Sequence, residues 1–184
     1  GRSDYQETRM FERLLMSLPA IVGDIMRFIF IVAASGSMVF FFGQLLPRKN
    51  FFYDEFPYTS FAWEQEGMVY TRLRIQYWKD HVPDMSKHVK SAIRKKISVF
   101  RSADYLELLI QETCVAEFTH ALLILLSPMF LILMEGAAGI ASTVVYVIGN
   151  LPFIMIQRYN RPRLAKLMQR QLQWEQDRAA RGCI

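Results

Sequence analysis

Two stretches of this chain, Phe28–Leu46 and Gly136–Gln157, contain no Asp, Glu, Lys or Arg, and a third, Phe118–Met134, has His120 as its only ionisable group. About 20 apolar residues in a helix cross a bilayer core, where each backbone N–H and C=O must be satisfied within the segment. The expected class is therefore all-α: an integral membrane protein with about three transmembrane helices plus interfacial amphipathic helices. The middle run is short, and its flank Val115–Phe118 extends it. A content of 52% hydrophobic and 14% aromatic residues would also suit a compact domain. The clustering of the apolar residues decides between the two.

These runs divide the chain into an N-terminal surface segment (1–27), a first transmembrane helix (28–46), a cytoplasmic aromatic and basic interfacial segment (47–103), and a helical membrane hairpin with a C-terminal interfacial helix (104–184). Gly1–Arg13 is polar, and its first residues read as a processing product or an expression remnant. Met10–Ala20 has a helical apolar pattern leading into the first span. The small residues Ala33, Ala34, Ser35, Gly36 and Ser37 in that span allow close helix contact. Between Phe51 and Trp78 the aromatics crowd as they do in an interfacial belt or a lipid-facing groove. Val69–Tyr77 alternates partly, as a short strand or extended pass would. From Met85 to Phe100, apolar residues recur every three or four positions among lysines and arginines, the pattern of a basic helix on an anionic membrane surface. Asp104 with Glu107 resembles a capping box for the next helix. Pro128 should kink the second span, and Glu135-Gly136-Ala137 returns the chain into the third. Pro162 suits a first helical turn, ahead of an apolar stripe at Leu164, Leu167, Met168 and Leu172.

Polar residues interrupt the spans at two places. Thr113, Glu117 and His120 share one helical face, with Glu112 about 100° round the helix from Thr113. Ionisable groups at membrane depth are costly, which gives them a functional reading by default. The other place is Asn150–Leu164, where an apolar helix meets water and turns into Gln157, Arg158, Tyr159, Asn160, Arg161 and Arg163. A short return at Gly136 makes the two spans antiparallel neighbours. Counting outward from it brings His120 level with Pro152, Glu117 with Met155 and Glu112 with Asn160. Glu117 and His120 then form a coupled pair facing Asn150 and Arg158, with Gln157 as a further partner, and Glu112 falls near Arg158 and Arg161.

The net charge of +5 comes with no nucleic-acid motif, and the basic residues flank the spans, so membrane phosphates are the expected anions. Eighteen of the 22 Lys and Arg residues lie in 48–101 and 158–181, which places both segments in the cytoplasm and the site at the cytoplasmic leaflet of the cell membrane. Cys114 and Cys183 support neither a disulfide framework nor a nucleophile. No phosphate loop, zinc-ligand cluster or His-x-x-x-x-Asp box is present, so no metal is expected.

Tyr77-Trp78-Lys79 followed by Pro83, the helix carrying Ile110-Gln111-Glu112-Thr113 and Ala116-Glu117-Phe118-Thr119-His120, and the run Asn150–Leu164 together resemble the membrane acyltransferases that acylate glycosyl-4,4'-diaponeurosporenoate in bacterial C30 carotenoid (staphyloxanthin-type) synthesis. The likeness covers about Phe61–Leu172. It departs in a longer N-terminal part and in Ala121-Leu122 after the histidine. The resemblance implies transfer of a fatty acyl group to a sugar hydroxyl of a glycosylated carotenoid or similar apolar glycolipid. No bound cofactor is implied; an acyl donor such as acyl-CoA is the co-substrate. A hydroxyl attacking an acyl carbonyl needs a base and donors for the oxyanion. On this reading His120 is the base, Glu117 its orienter, and Arg158 with Gln157 or Asn160 the donors. Trp78, Lys79, Glu112, Thr113, Asn150, Tyr159, Arg161 and Arg163 complete the substrate surface. Membrane lipids are the expected partners. A non-catalytic lipid-binding or assembly subunit of a membrane protein complex is the alternative class.

Overall fold

The computed structural model describes residues 2–82 and 103–182, with side chains from residue 18 onward. In chain order these residues form α1 (Arg2–Leu45), 3₁₀ turns at Arg48–Asn50 and Ala62–Gly67, α2 (Met68–Arg72), α3 (Ile75–Trp78), α4 (Ala103–Leu126), α5 (Met129–Leu133) and α6 (Gly136–Gly182). No strand occurs among them, and three helices are long and apolar enough to cross a membrane, Leu18–Leu45, Ala103–Leu133 and Gly136–Gly182. The amphipathic run Met85–Phe100 lies outside the described residues.

The chain divides into two compact units. The first comprises residues 1–42 and 122–149. Its core is Val39, Leu123, Phe130, Met134 and Tyr146, with Phe28, Ile31 and Val32 packed against it. The small-residue stretch of α1 is where that helix meets α6: Ser35 is buried, its hydroxyl 2.7 Å from Ile31 O and 2.9 Å from the Tyr146 hydroxyl. Outward-facing apolar side chains such as Phe30, 74% exposed, and Ile132, 84% exposed, would be a liability in water and suit hydrocarbon. Pro128 ends α4, and α5 follows after a two-residue turn. Gly136, at φ +56°, opens α6 in a conformation that favours glycine.

The second unit comprises residues 43–121 and 150–184. Residues 47–82 form a cap of short helices and turns on α4 and α6. The alternating stretch Val69–Tyr77 is not a strand: it folds as α2 and α3, broken by Arg74 at φ +54°. Tyr70 and Ile75 are buried against Ile156 and Tyr159 of α6, an arrangement that needs two short helices rather than a flat pass. Met10–Ala20 is helical and leads into the first span as its pattern implies, within one continuous α1 that runs on through Pro19 to Leu45. Two other expectations are corrected. Asp104 lies within α4 rather than ahead of it, so it is a first-turn acid rather than an N-cap. Pro162 does not start a helix, because α6 runs through both Pro152 and Pro162. Proline forfeits the hydrogen bond to the carbonyl four residues back, here that of Arg158. Gly67 packs at that place, where a β-carbon would meet Pro162 Cγ at 3.3 Å, and its φ of +86° independently selects glycine.

Candidate functional site

In the second unit α4 and α6 run antiparallel and bring the two polar interruptions together. His120 Nδ1 lies 2.9 Å from Asn150 Oδ1, and its ring stacks on Phe153 at 4.3 Å between centroids. For His120 the count from Gly136 therefore holds to within two residues. An amide oxygen only accepts, so in this pairing Nδ1 carries a hydrogen and donates it.

One turn along α4, Glu117 is 8% exposed and both its oxygens are taken by guanidinium groups, Oε1 by Arg158 Nη1 at 2.6 Å and Oε2 by Arg161 Nη2 at 2.5 Å. The carboxylate that the sequence makes the orienter of His120 is thus engaged by the arginines, and Asn150 is the group bonded to the imidazole. Arg158 also donates from Nε and Nη2 to Glu64 at 2.5 and 3.1 Å, from Nη1 to Pro57 O at 3.1 Å and from Nη2 to Thr59 O at 3.2 Å. All of its N–H groups are spent inside the protein. An oxyanion could recruit Arg158 only by displacing one of these partners, so its expected role as oxyanion donor gives way to that of a tie. Arg161 repeats the pattern, donating to Thr113 Oγ1 at 3.0 Å, Thr113 O at 3.2 Å and Tyr58 O at 2.7 Å. Three consecutive cap carbonyls, Pro57 to Thr59, are therefore pinned to α6 by two arginines.

Glu64, only 1% exposed, is the residue that sequence reasoning missed. A lone glutamate in an aromatic loop carries no local signal, because its partner lies far along the chain. Besides Arg158, it accepts from the Phe61 N–H at 2.8 Å and from the Tyr70 hydroxyl. Burial pushes its carboxyl up, but the bonds from Arg158, Tyr70 and Phe61 outweigh that and hold it below the usual carboxylate value. Burial and the neighbouring Glu64 push the Tyr70 phenol up, so Tyr70 remains a donor. Paired and multiply bonded in this way, the buried charges meet the condition under which such groups are tolerated.

The remaining expected residues fall elsewhere. Glu112 does not face Arg158 and Arg161. It pairs with Arg48 at 2.8 Å, because its position round the helix turns it toward the end of α1. Arg48 also donates to Gly43 O and Leu46 O, capping carbonyls that the helix end leaves free. Lys79, Tyr159, Asn160 and Arg163 form a separate patch. In it Lys79 Nζ is 3.5 Å from Asn160 Oδ1, the Arg163 guanidinium lies 3.6 Å over the Tyr159 ring, and Arg163 donates to Thr71 Oγ1 at 2.9 Å. Trp78 packs beside this patch and donates to Leu73 O at 3.1 Å. Gln157 is buried on α6. Beside the arginine ties, an open cleft of about 270 Å³ lies between the cap and α6.

A model of the glycosyl-4,4'-diaponeurosporenoate acyltransferase family matches residues 50–170. The chain belongs to that family. The glycosyl-4,4'-diaponeurosporenoate acyltransferase of Staphylococcus aureus (strain MRSA252) is 30% identical over 129 residues, 68% of this chain and 76% of the relative. That of Staphylococcus haemolyticus (strain JCSC1435) is 30% identical over 121 residues, 64% of this chain and 69% of the relative. No solved structure matches. The part shared with the acyltransferase family holds nearly all of the cap, His120, Asn150 and both tying arginines, while the whole of α1 precedes it.

Proposed function

We propose that this protein transfers a fatty acyl group to a sugar hydroxyl of a glycosylated carotenoid or similar apolar glycolipid, at the cytoplasmic leaflet, with His120 as base and Asn150 as the residue that sets its tautomer. The observation that carries the reading is the 2.9 Å contact between His120 Nδ1 and Asn150 Oδ1. With Nδ1–H fixed on the amide, Nε2 accepts the hydroxyl proton as the sugar oxygen attacks the acyl carbonyl carbon. The tetrahedral intermediate then collapses with cleavage of the bond to the donor's leaving group. That group takes the proton from the imidazolium and departs neutral, a thiol if the donor is acyl-CoA. The second group on the imidazole does here what it does in hydrolase triads, orienting the base and fixing its tautomer. Glu117, Arg158, Arg161 and Glu64 hold the cap against the helices that carry this pair.

Membranes containing the protein, supplied with acyl donor and glycolipid, are expected to yield acylated glycolipid, and His120→Ala to lose about 10²- to 10⁴-fold in rate while still inserting and folding. Asn150→Ala is expected to lose a smaller factor, and the double variant to be scarcely worse than His120→Ala, because residues acting as one unit are non-additive. Near-normal turnover by folded His120→Ala overturns the assignment of the base. Absence of product, together with stoichiometric copurification in a larger assembly, establishes the non-catalytic subunit instead.

A further inference from the structure

The cleft between cap and α6 is lined by Tyr53, Asp54, Ser60, Lys166 and Gln169 around the buried Glu64, Arg158 and Arg161. Cationic residues beside a cleft at a membrane surface ordinarily point to a phosphate, but the two buried guanidinium groups here are almost fully bonded and Lys166 is paired with an acid. Arg158 has given every N–H to Glu64, Glu117 and two cap carbonyls. Arg161 is bonded to Glu117, Thr113 and Tyr58 O. Lys166 Nζ holds Glu66 at 2.7 Å. Three lining acids, Asp54, Glu64 and Glu66, stand against three lining bases, and Glu117 behind them adds a further negative charge. A dianion entering this cleft would meet two guanidinium groups with nine of their ten N–H groups already bonded, and an exposed carboxylate at Asp54. It would have to break charge-assisted bonds to gain more than one from them. A neutral ligand rich in hydroxyls meets the reverse situation. The Asp54 carboxylate accepts from hydroxyls, the Ser60 and Tyr53 hydroxyls and the Gln169 amide both donate and accept, and Tyr53 adds an aromatic surface.

We propose that this cleft recognises the neutral sugar head group of the lipid acceptor and selects against phosphate head groups, with Asp54 and Gln169 as its specificity-determining residues. This rests on the acyl-transfer reading for the identity of the acceptor, while the site itself rests on the lining. The floor of the cleft, Arg158, is bonded to Glu117, and His120 follows one turn along α4. Recognition of the head group and imidazole chemistry are thus adjacent levels of one site.

The test uses the full chain in lipid nanodiscs, with methyl β-D-glucoside and methyl phosphate as water-soluble probes followed by saturation-transfer NMR on their methyl protons. The glucoside is expected to receive saturation and methyl phosphate to receive none. Asp54 and Gln169 are both exposed, so their truncation leaves the fold intact, which a thermal melt verifies. The double variant Asp54→Ala, Gln169→Ala is expected to bind the glucoside about tenfold more weakly, the scale of losing a hydrogen bond to a charged group. With the glycolipid it is expected to show a raised KM and an unchanged kcat, and His120→Ala is expected to bind the glucoside as the unaltered protein does. Methyl phosphate binding as well as the glucoside, or a double variant with unchanged glucoside binding and KM, overturns the proposal. Glucoside binding that depends on Asp54 and Gln169 in a protein without transferase activity would sink the acyl-transfer reading and leave the sugar site standing.

Discussion

Arg158 meets as many acceptors as it has N–H groups, which makes it sensitive to the shape of the cation as well as to its charge. Lysine keeps the charge but presents a compact ammonium with three donors, so it cannot span Glu64, Glu117 and two cap carbonyls at once. Arg158→Lys is therefore expected to destabilise the second unit by on the order of 3 kcal/mol, the scale of leaving a buried charge partly unpaired. Protease nicking within residues 51–66 should rise in parallel. A melt and a nicking rate matching those of the unaltered protein would refute the tie. Glu64 adds a pH dependence whose sign follows from its depressed carboxyl. The stabilisation is complete above the unfolded carboxylate value, about pH 4.3, and is lost as pH falls through the lower folded value. Glu64→Gln should flatten that acid limb of the melting temperature, measured from about pH 6 to about pH 3. At this scale the sequence showed the pairing of His120 with Asn150, because helical spacing and a tight turn are local rules that add up along two helices. It set Glu117 facing Arg158 but did not show that Arg161 takes the other carboxylate oxygen, because a guanidinium on a long side chain reaches across a turn that residue counting treats as a boundary.

Among elements, the long helices were legible and the cap was not. Runs without charge have one solution in hydrocarbon, so Phe28–Leu46 and Gly136–Gln157 leave no alternative to helix. The cap is built from contacts remote in sequence, and the apolar and basic residues of Val69–Tyr77 fit either a strand or two helical turns until Tyr70 and Ile75 find Ile156 and Tyr159. The return into α6 was legible as a turn, but its tightness was not. A β-carbon at Gly139 would lie 2.6 Å from Met134 O and 2.9 Å from Phe130 O, both backbone atoms that move only with the chain. Gly139→Ala is expected to cost about 1–3 kcal/mol, as forced overpacking does. Gly149→Ala has open space around the new methyl and serves as the control. Equal melting temperatures for the two variants would show that the return is looser than its geometry.

For the whole molecule, charge decides orientation. In the arrangement we propose, the three helices able to cross a membrane put the chain before Leu18 on one side and residues 47–82 on the other, with Glu135 at the far turn ahead of α6. The Lys and Arg residues follow that division: four precede Phe28, eighteen fall in 48–101 and 158–181, and the turn at Glu135 has none. Cations resist translocation, so the side we propose as cytoplasmic is the richer one. Single cysteines at Trp78→Cys, Lys95→Cys, Arg170→Cys and Glu135→Cys test the arrangement in intact cells, with Cys183→Ser as background and Cys114 left in place because it is fully buried. An impermeant maleimide should label only Glu135→Cys in intact cells and should reach the other three once the membrane is opened. The same outcome would put the proposed head-group site on the side where the proposed acyl donor, acyl-CoA, is made available. Labelling of Glu135→Cys only after the cytoplasmic face is exposed would overturn the three-span arrangement, and with it the cytoplasmic placement of the acyl donor.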